Sequence, residues 1–492
     1  MSQFTPSLSP TQSLHGGKLL LTLAILAILA APFLVPSSLF ILALLGVPAL
    51  VAVVYVLWRV FVGSAELVFL VWVLIFPLGY YFLSYPSEHS IVTLDRVVVA
   101  LLAMAIVFTP PLKVTPAPLP LRKTAVAWLA YVVAVVVSMI GAPVMLFKVK
   151  LVIDALLLPA FLGWWVIRSF EVRRNLRALH TLTSLMIIYT AGIGIAEVVL
   201  GEDLLKLPGG GLYLIGAAGH LWVRPNGPFG ADLTLGLVGL IALVFLVFLR
   251  RALGDDMHRG QLFLHWVAVI SALACSQISL FRSLLLTVGV IVALEARRAH
   301  LFRSRAPALS VLFLAVGSFV VLQFVAPEAW VERTSADSLV GRIAQDEQTL
   351  QVVLAHPLVG VGFASFHDAV ERAAVSSASF GGFMPADSPH NNLGSVLAES
   401  GLLSFVPFIL SQVFLVMAFF QLAAKKGSAL NSVWRVFLYV FLTFWITGMS
   451  ESSFQDPTVD LWYLFAVACL YKYALSAPPP GESIAGQVTV AA

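Results

Sequence analysis

The chain has 492 residues, of which 60% are hydrophobic and 11% charged, with a formal net charge of +4. A soluble domain carries roughly 25% charged residues, so this composition excludes an ordinary soluble fold. Apolar runs of about 20 residues, long enough to cross a bilayer as helices, recur along the chain. The small net charge does not indicate a nucleic-acid partner. Cys275 and Cys469 lie inside apolar runs and indicate neither a disulfide framework nor a thiolate metal site.

The apolar runs predict an all-α, polytopic transmembrane bundle of about 14 spans. Residues 1–17 and 477–492 are polar or Pro-rich and are expected to form disordered cytoplasmic tails. Residues 18–326 carry spans 1–11, 327–400 form a long, partly helical periplasmic loop, and 401–476 carry spans 12–14. The predicted spans are 19–35, 39–57, 66–83, 91–109, 124–141, 150–168, 180–200, 231–249, 262–279, 282–295, 308–326, 401–423, 433–450 and 459–476.

The distribution of charge predicts the orientation of the bundle. Most of the 29 Lys and Arg residues fall in alternate short loops, which by the positive-inside rule places both termini in the cytoplasm. The longer polar loops, 201–230 and 327–400, then lie on the outer face. Basic residues on that face do not orient the helices, so they require another explanation.

The long loop contains a predicted helix over 339–355, capped by Asp337 or Ser338. The apolar residues Ile343, Leu350, Val353 and Leu354 fall on one broad face of that helix. Gly360 and Gly362 then permit a tight turn in which the backbone approaches another part of the chain closely. Residues 371–385 are small and flexible in composition and predict a mobile cover.

His390 is the strongest candidate for a chemical role. Ser388 and Pro389 predict the cap and first position of a short helix that ends near Ser400. His390 then lies in its first turn, where free N–H groups favour the neutral imidazole that a general base needs. The alternative is a polar loop histidine that acts as a cap. Glu399 is expected to support the loop or to cap the next span.

Three arginines on the outer side are candidates for anion binding. Arg224 lies in a rigid turn, where its guanidinium can hold a diphosphate by two contacts or extend to lipid headgroups. Arg282 begins a span at its outer end, with a ligand, a headgroup or a carboxylate as its partner. Arg342 lies in the first turn of the loop helix, an unfavourable place for an unpartnered cation; a solvated face is the alternative. The sequence carries no metal-binding motif.

Three stretches within residues 220–410 resemble the O-antigen ligase/O-antigen polymerase superfamily of polytopic membrane glycosyltransferases. Arg224-Pro-Asn-Gly-Pro-Phe-Gly is similar to the family's Arg-x-x-Gly-x-Phe element, and Ser279-Leu-Phe-Arg282-Ser283 is similar to its Ser-Arg element. The long loop adds Gly341-Arg342, His356-Pro-Leu-Val-Gly360-Val-Gly362, His390-Asn391 and Glu399-Ser-Gly401-Leu. The chain departs from the family at Asp346, where an aromatic residue is common, and either Ser279 or Ser283 can be the equivalent serine.

The resemblance implies transfer of a glycan from a polyprenyl (undecaprenyl) diphosphate carrier to an acceptor sugar hydroxyl, at the periplasmic face of the bacterial inner membrane. The acceptor is another glycan in a polymerase and the lipid A core in a ligase, and other polysaccharide-assembly proteins are further partner candidates. The alternatives are a flippase for lipid-linked oligosaccharide and a protein O-oligosaccharyltransferase. The resemblance implies no cofactor and no metal. The implied site residues are His390 as the catalytic base, Arg224, Arg282 and Arg342 on the diphosphate, and Asn391, Glu399, Gly360 and Gly362 in support.

Overall fold

A computed structural model describes residues 65–79, 92–108, 119–140, 145–205, 213–215, 222–254, 257–298, 336–372, 386, 388–426 and 431–476. The predicted tails, 1–17 and 477–492, lie outside the described residues, as do the predicted spans 19–35, 39–57 and 308–326. Most of the predicted mobile cover, 371–385, also lies outside them.

The described part of the chain is built almost entirely from helices. In chain order they are α1 (Ala65–Ile75), α2 (Leu94–Phe108), α3 (Leu119–Ser138), α4 (Met145–Leu151), a π-helical segment (Val152–Leu157), α5 (Leu158–Ser169), α6 (Leu176–Leu200), α7 (Asp232–Leu253), α8 (Arg259–Ile278), α9 (Arg282–Arg298), α10 (Ala336–Ala355), α11 (Phe366–Arg372), α12 (Asn392–Lys426), α13 (Asn431–Gly448) and α14 (Pro457–Leu475). Each predicted span that falls on described residues overlaps helical residues over most of its length, and the span 150–168 covers the end of α4, the π-helical segment and most of α5.

Six stretches in the described residues are long and apolar enough to cross a membrane. They are Leu121–Ser138, Phe147–Ser169, Leu176–Leu200, Asp232–Leu253, Arg259–Ile278 and Asn392–Ala424. Such lengths match the hydrocarbon thickness of a bilayer because each helical residue rises about 1.5 Å. The prediction of an all-α, multi-pass membrane protein is therefore confirmed.

The chain divides into two compact units. One comprises residues 1–69 and 100–110, of which 65–69 and 100–108 are described; they form the beginning of α1 and the second half of α2. The other comprises residues 70–99 and 111–492 and contains every candidate site residue. The contacts described below lie within this second unit.

An aromatic cluster forms part of the core of the second unit. Phe76 stacks on Trp462 of α14 with ring centroids 5.1 Å apart, and Phe465 of the same helix lies edge-on to Phe245 of α7. Trp72 meets Phe465 and donates its indole N–H to Asp95, 2.6 Å away. Large rings provide most of the apolar contact area here, and α14 lies at the centre of the cluster.

Small residues bring α7 and α8 close together. A Cβ added at Gly239 would lie 2.6 Å from Cys275 Cβ, and one added at Gly236 would collide with Ser279. Side chains larger than hydrogen are thus excluded from this face of α7, as is common where membrane helices pack closely. The C-terminal end of α8, which Ser279 follows, is thereby fixed against α7.

The loop between α6 and α7 contains a small hairpin that was not predicted. Strand β1 (Tyr213–Ile215) pairs antiparallel with β2 (Trp222–Arg224), with Tyr213 opposite Arg224. A 3-10 turn (Gly227–Phe229) follows, and Gly230 at φ 71° leads into α7. Strands of three residues are too short to give a recognisable alternation in the sequence.

Candidate functional site

Helix α10 carries Arg342 and begins earlier than predicted. It runs from Ala336 to Ala355, so Asp337 and Ser338 lie inside the helix and not before it. An acidic residue is favourable in a first helical turn as well as at the cap. Arg342 therefore lies in the second turn, and the prediction that placed it in the first turn is wrong.

The buried face of α10 also differs from the predicted apolar face. Gln348 accepts a hydrogen bond from the Ala386 amide at 3.1 Å, and Val352 packs in a small apolar cluster that includes Phe366 and Val370. A helix with apolar residues on more than one face leaves open which face meets the protein. The buried residues are Ala344, Gln348, Thr349 and Val352. Of the predicted apolar face, Ile343, Leu350 and Leu354 are exposed, and Val353 is partly buried against the cluster.

Arg342 and His390 meet at one carboxylate, which belongs to Glu451 in the turn between α13 and α14. His390 Nδ1 lies 3.0 Å from Glu451 Oε2. Arg342 donates to Glu451 Oε1 through Nη2 and to the Ser450 carbonyl through Nη1. The structure thus brings two of the predicted site residues together through a residue that the sequence did not single out.

The contact with Glu451 determines the tautomer of His390. An ionised carboxylate only accepts hydrogen bonds, so Nδ1 carries the proton that it donates to Glu451. In the neutral ring the lone pair is then on Nε2, the atom that can take a proton from a substrate. The His390 side chain is 31% exposed, so it is accessible from solvent.

The surroundings of Glu451 keep its carboxylate ionised. Burial alone would raise its pKa, but the hydrogen bond from His390 and the charge of Arg342 outweigh burial. The pKa of Glu451 is consequently held below its ordinary value. Glu451 is thus a fixed negative charge between a histidine and an arginine.

His390 precedes a helix and does not lie inside it. α12 begins at Asn392, and Asn391 is its cap: the Asn391 side-chain oxygen accepts from the Gly394 amide at 2.5 Å, and its carbonyl accepts from Ser395 at 2.9 Å. The prediction that Ser388 caps this helix and Pro389 begins it is wrong, since the asparagine offers the better-placed acceptor. His390 has φ 47°, a left-handed conformation that non-glycine residues adopt rarely.

Asn392 fixes the turn that carries Glu451. Its side-chain oxygen accepts from the amides of Ser453 and Phe454, both at 2.9 Å, and its Nδ2 donates to Ser453 Oγ at 3.2 Å. Asn392 is buried, so these bonds are sheltered from water. The start of α12, and with it His390, is thereby tied to the segment that holds Glu451.

Gly360, Gly362 and Glu399 form a second group. The Gly362 amide donates to the Glu399 carbonyl at 2.8 Å, and a Cβ at Gly360 would collide with the Glu399 carbonyl. The Glu399 carboxylate accepts from Ala364 N at 3.0 Å and from Gln455 Nε2 at 2.7 Å. The predicted close approach of the glycine turn is confirmed, and its partner is the backbone of α12.

Lys148 lies under the same loop. It is buried in the candidate span Phe147–Ser169 and donates to Ser365 Oγ. A buried lysine requires a compensating partner, and a hydroxyl on the loop provides one.

Arg224 belongs to a third group, with the turn that precedes α9. Its Nε lies 2.8 Å from Asp232 Oδ2 and donates to the Ser279 carbonyl at 3.0 Å, while its guanidinium lies over the Phe281 ring. Arg224 is buried. Its Nε edge is therefore occupied by protein, an arrangement that neither of the two roles considered from the sequence, diphosphate binding and extension to lipid headgroups, had included.

Arg282 begins α9 and is exposed. The preceding Leu280 has φ 57°, so the turn from α8 to α9 is held in a left-handed conformation. Ser279 is fully buried and donates its hydroxyl to Ser276 O at 3.0 Å. Arg282 and Arg224 thus share one short turn between α8 and α9.

The group around Arg224 is connected to the cluster of Arg342, His390 and Glu451 through the turn before α14. Thr234, in the first turn of α7, donates to Asp456 Oδ2, and the other oxygen of Asp456 caps α14 by accepting from Thr458 N. Burial raises the pKa of Asp456, against the hydrogen bond from Thr234. Segment 450–456 therefore contacts both the Arg342–His390 pair and the helix that begins beside Arg224.

Sequence reasoning missed Glu451 and Asn392. Glu451 directly follows the predicted span 433–450, where a single polar residue is usually an interfacial one, and Asn392 lies in the predicted short helix of the long loop, where it was given no role. A signal was present: Ser450-Glu451-Ser452-Ser453-Phe454-Gln455-Asp456 is a polar run on the side of the bundle that the charge distribution predicts to be the outer one.

The described helices and this polar cluster define a multi-pass, all-α membrane protein. Comparison of the chain with models of known protein families and with curated proteins gave no match. Among the described residues, no group of three or more His, Cys, Asp or Glu side chains is arranged to hold a metal ion.

Proposed function

We propose that the chain is a membrane glycosyltransferase that moves a glycan from a polyprenyl diphosphate carrier to an acceptor sugar hydroxyl. The observation that carries the proposal is the arrangement of Glu451 between His390 and Arg342. Glu451 orients the imidazole of His390 and holds the guanidinium of Arg342 beside it. The similarity of the sequence motifs to the O-antigen ligase/polymerase superfamily provides the substrate class.

In the proposed reaction, Nε2 of His390 removes the proton of an acceptor hydroxyl. The acceptor oxygen attacks the anomeric carbon and forms the new glycosidic bond, while the bond from that carbon to the diphosphate oxygen breaks. Polyprenyl diphosphate leaves with the bonding electron pair, and the proton is held by the imidazole until solvent takes it. Arg342 and Arg282 neutralise the charge that develops on the leaving diphosphate, and Arg224 supports the turn that carries Arg282.

The finer features of the proposal follow from charge and hydropathy patterns. A bundle of about 14 spans in a bacterial inner membrane, with cytoplasmic termini, places the loop that carries Arg342 and His390 in the periplasm. The acceptor distinguishes a polymerase from a ligase and from a protein O-oligosaccharyltransferase. We propose a polysaccharide polymerase or ligase, because the motifs of the chain resemble those of that family.

A flippase for lipid-linked oligosaccharide is the second candidate, and one observation favours it. α12 is interrupted at Gly401, where φ is 65° and ψ is −174°. Interrupted helices form the binding sites of many transporters. In this protein the interruption accommodates residues 357–359, so it is occupied by the chain itself.

Incubation of the purified full-length protein with an undecaprenyl diphosphate-linked glycan in EDTA tests the proposal. We expect release of free undecaprenyl diphosphate and extension or transfer of the glycan. His390→Ala should lower the rate by about 10²–10⁴-fold, the range for a general base. His258→Ala, an exposed histidine at the start of α8, is the matched control. Unmodified donor that has crossed to the other leaflet of a liposome would favour the flippase, and full transfer by His390→Ala would overturn the assignment of the base.

A further inference from the structure

Helix α10 has an exposed apolar edge on the side away from its buried face. Ile343, Leu350 and Leu354 are 45%, 58% and 70% exposed. Residues spaced by seven and four lie on one face of a helix, so the three side chains form one stripe. Exposed leucines at such a spacing are unusual on a surface that meets only water.

The stripe continues onto the exposed surface of α12. Leu358 and Val359, just after α10, are also exposed, and the chain there is joined to α12 by two backbone hydrogen bonds: Leu402 N to Pro357 O at 2.9 Å and Leu403 N to Leu358 O at 3.1 Å. The next exposed apolar residues along α12 are Leu402, Leu403, Val406 and Leu410. One apolar surface therefore extends from α10 onto a helix that is long enough to cross the membrane.

We propose that α10 is an interfacial helix, with the edge formed by Ile343, Leu350 and Leu354 inserted into the boundary between headgroups and acyl chains. The occupant of this surface is lipid because the surface is continuous with Leu403 and Val406, which lie on a membrane-crossing helix with their side chains exposed. Amphipathic helices that lie on a bilayer bury their apolar face at this depth.

The flanks of α10 fit this orientation. Asp346 is exposed beside the stripe and accepts from Asn391 Nδ2 at 3.4 Å, and Arg342 lies on the same flank and reaches Glu451. The polar flank of the helix thus faces the His390 cluster while the apolar edge faces lipid. The insertion of α10 holds Arg342 at the level of the lipid headgroups. This inference requires only that the protein spans a membrane, and it stands whether or not the proposed transfer occurs.

Fluorescent labelling in liposomes tests the proposal. The native Cys275 and Cys469 are both buried, so a cysteine introduced at Leu354 can be labelled selectively with an environment-sensitive nitrobenzoxadiazole dye. Val406→Cys on α12 is the control for a position in lipid, and Gln351→Cys, exposed on another face of α10, is the control for a position in water. The proteins are reconstituted in phosphatidylcholine and phosphatidylglycerol, and quenching by lipids carrying a shallow doxyl group is compared with quenching by aqueous iodide.

We expect the label at Leu354→Cys to emit at shorter wavelength than at Gln351→Cys, to be quenched by the doxyl lipid as Val406→Cys is, and to be protected from iodide. Ile343→Cys should behave in the same way and provides an independent position. Iodide quenching at 354 equal to that at 351 would overturn the proposal. Protection from both quenchers would also overturn it, because the edge would then be covered by protein. Glycan transfer is not measured, so the outcome is independent of the proposed function.

Discussion

His390 Nδ1 lies 3.0 Å from Glu451 Oε2, across a sequence separation of 61 residues, and Arg342 donates to the other oxygen of the same carboxylate. A single side chain thus orients the imidazole and fixes the guanidinium. The two predicted site residues are therefore coupled: a change at Glu451 affects both, whereas a change at either partner leaves the other in place.

Replacement of Glu451 by Gln should weaken both the site and the fold. Glutamine keeps the size of the side chain but removes the charge that Arg342 and His390 share. We expect proposed glycan transfer to fall by up to about 10²–10⁴-fold, because the imidazole loses the partner that sets its tautomer. The free energy of unfolding should fall by about 1–3 kcal/mol, toward the lower value because Arg342 is 36% exposed and solvent screens its charge.

The pH dependence of the stability that Glu451→Gln loses provides a second measurement. The pKa of Glu451 in the folded protein lies below its ordinary value of 4.5, so its ionised form stabilises the fold above that pH. The stabilisation disappears as the pH falls through the lower, folded-state pKa. The difference in stability between wild type and Glu451→Gln should be constant near neutral pH and shrink below pH 4.5. A difference that does not shrink, or equals that of the exposed Glu171→Gln control, would contradict the prediction.

The positions of the helices could be predicted from the sequence because each helix is marked by a run of consecutive apolar residues. A long apolar run predicts a membrane helix wherever it occurs, and α6, α7 and α8 are found where the runs are. The close approach at Gly360 was also predictable, since two glycines after His356-Pro357 serve little other purpose. The residue that they approach, Glu399, lies 39 positions later, and no local pattern identifies it.

The partners in the site were not predictable for the same reason. Glu451 meets His390 and Arg342 only after α12 and α13 have packed, and the polar run that contains it does not indicate which residues it meets. The sequence identified an apolar face of α10 but not its buried face, because hydropathy ranks Leu350 and Leu354 above Gln348, although Gln348 is the residue that meets the protein. In a membrane protein an apolar helical face can meet lipid as readily as the core.

Replacement of Asn392 by Ala should release the turn that carries Glu451. The amides of Ser453 and Phe454 would lose their acceptor while still buried, at about 1–3 kcal/mol for each unsatisfied group. We expect lower stability in detergent unfolding titrations and faster amide hydrogen exchange confined to 450–456 and the start of α12. Asn175→Ala is the matched control, because its side chain makes an exposed bond to Glu171 O. Uniform exchange changes throughout the chain would argue against a local role.

Replacement of Gly360 by Ala should destabilise the loop for two reasons. Gly360 has φ 74°, and an added Cβ would collide with the Glu399 carbonyl. A non-glycine residue in a left-handed conformation costs about 1–3 kcal/mol, and the collision adds to that cost. Gly192→Ala in α6, where no atom lies within 4 Å of an added Cβ, should be neutral or stabilising by up to about 1 kcal/mol. Thermal unfolding of the two variants in the same detergent measures the contrast, and equal midpoints would contradict it.

Removal of one partner of the ion pair between Arg96 and Asp154 should destabilise the protein more than removal of Arg96 together with Asp154 does. Arg96 Nε donates to Asp154 Oδ1 at 2.7 Å and Nη2 to Oδ2 at 2.6 Å, and Asp154 is buried in the π-helical segment. Arg96→Met removes the two hydrogen bonds and the nearest cation from a buried carboxylate, which should lower the free energy of unfolding by about 3–5 kcal/mol. The double variant Arg96→Met/Asp154→Leu removes both charges, so it should be more stable than Arg96→Met alone. A double-mutant cycle measured by denaturant titration gives the coupling, and a double variant no more stable than either single one would show that the pair does not act as a unit.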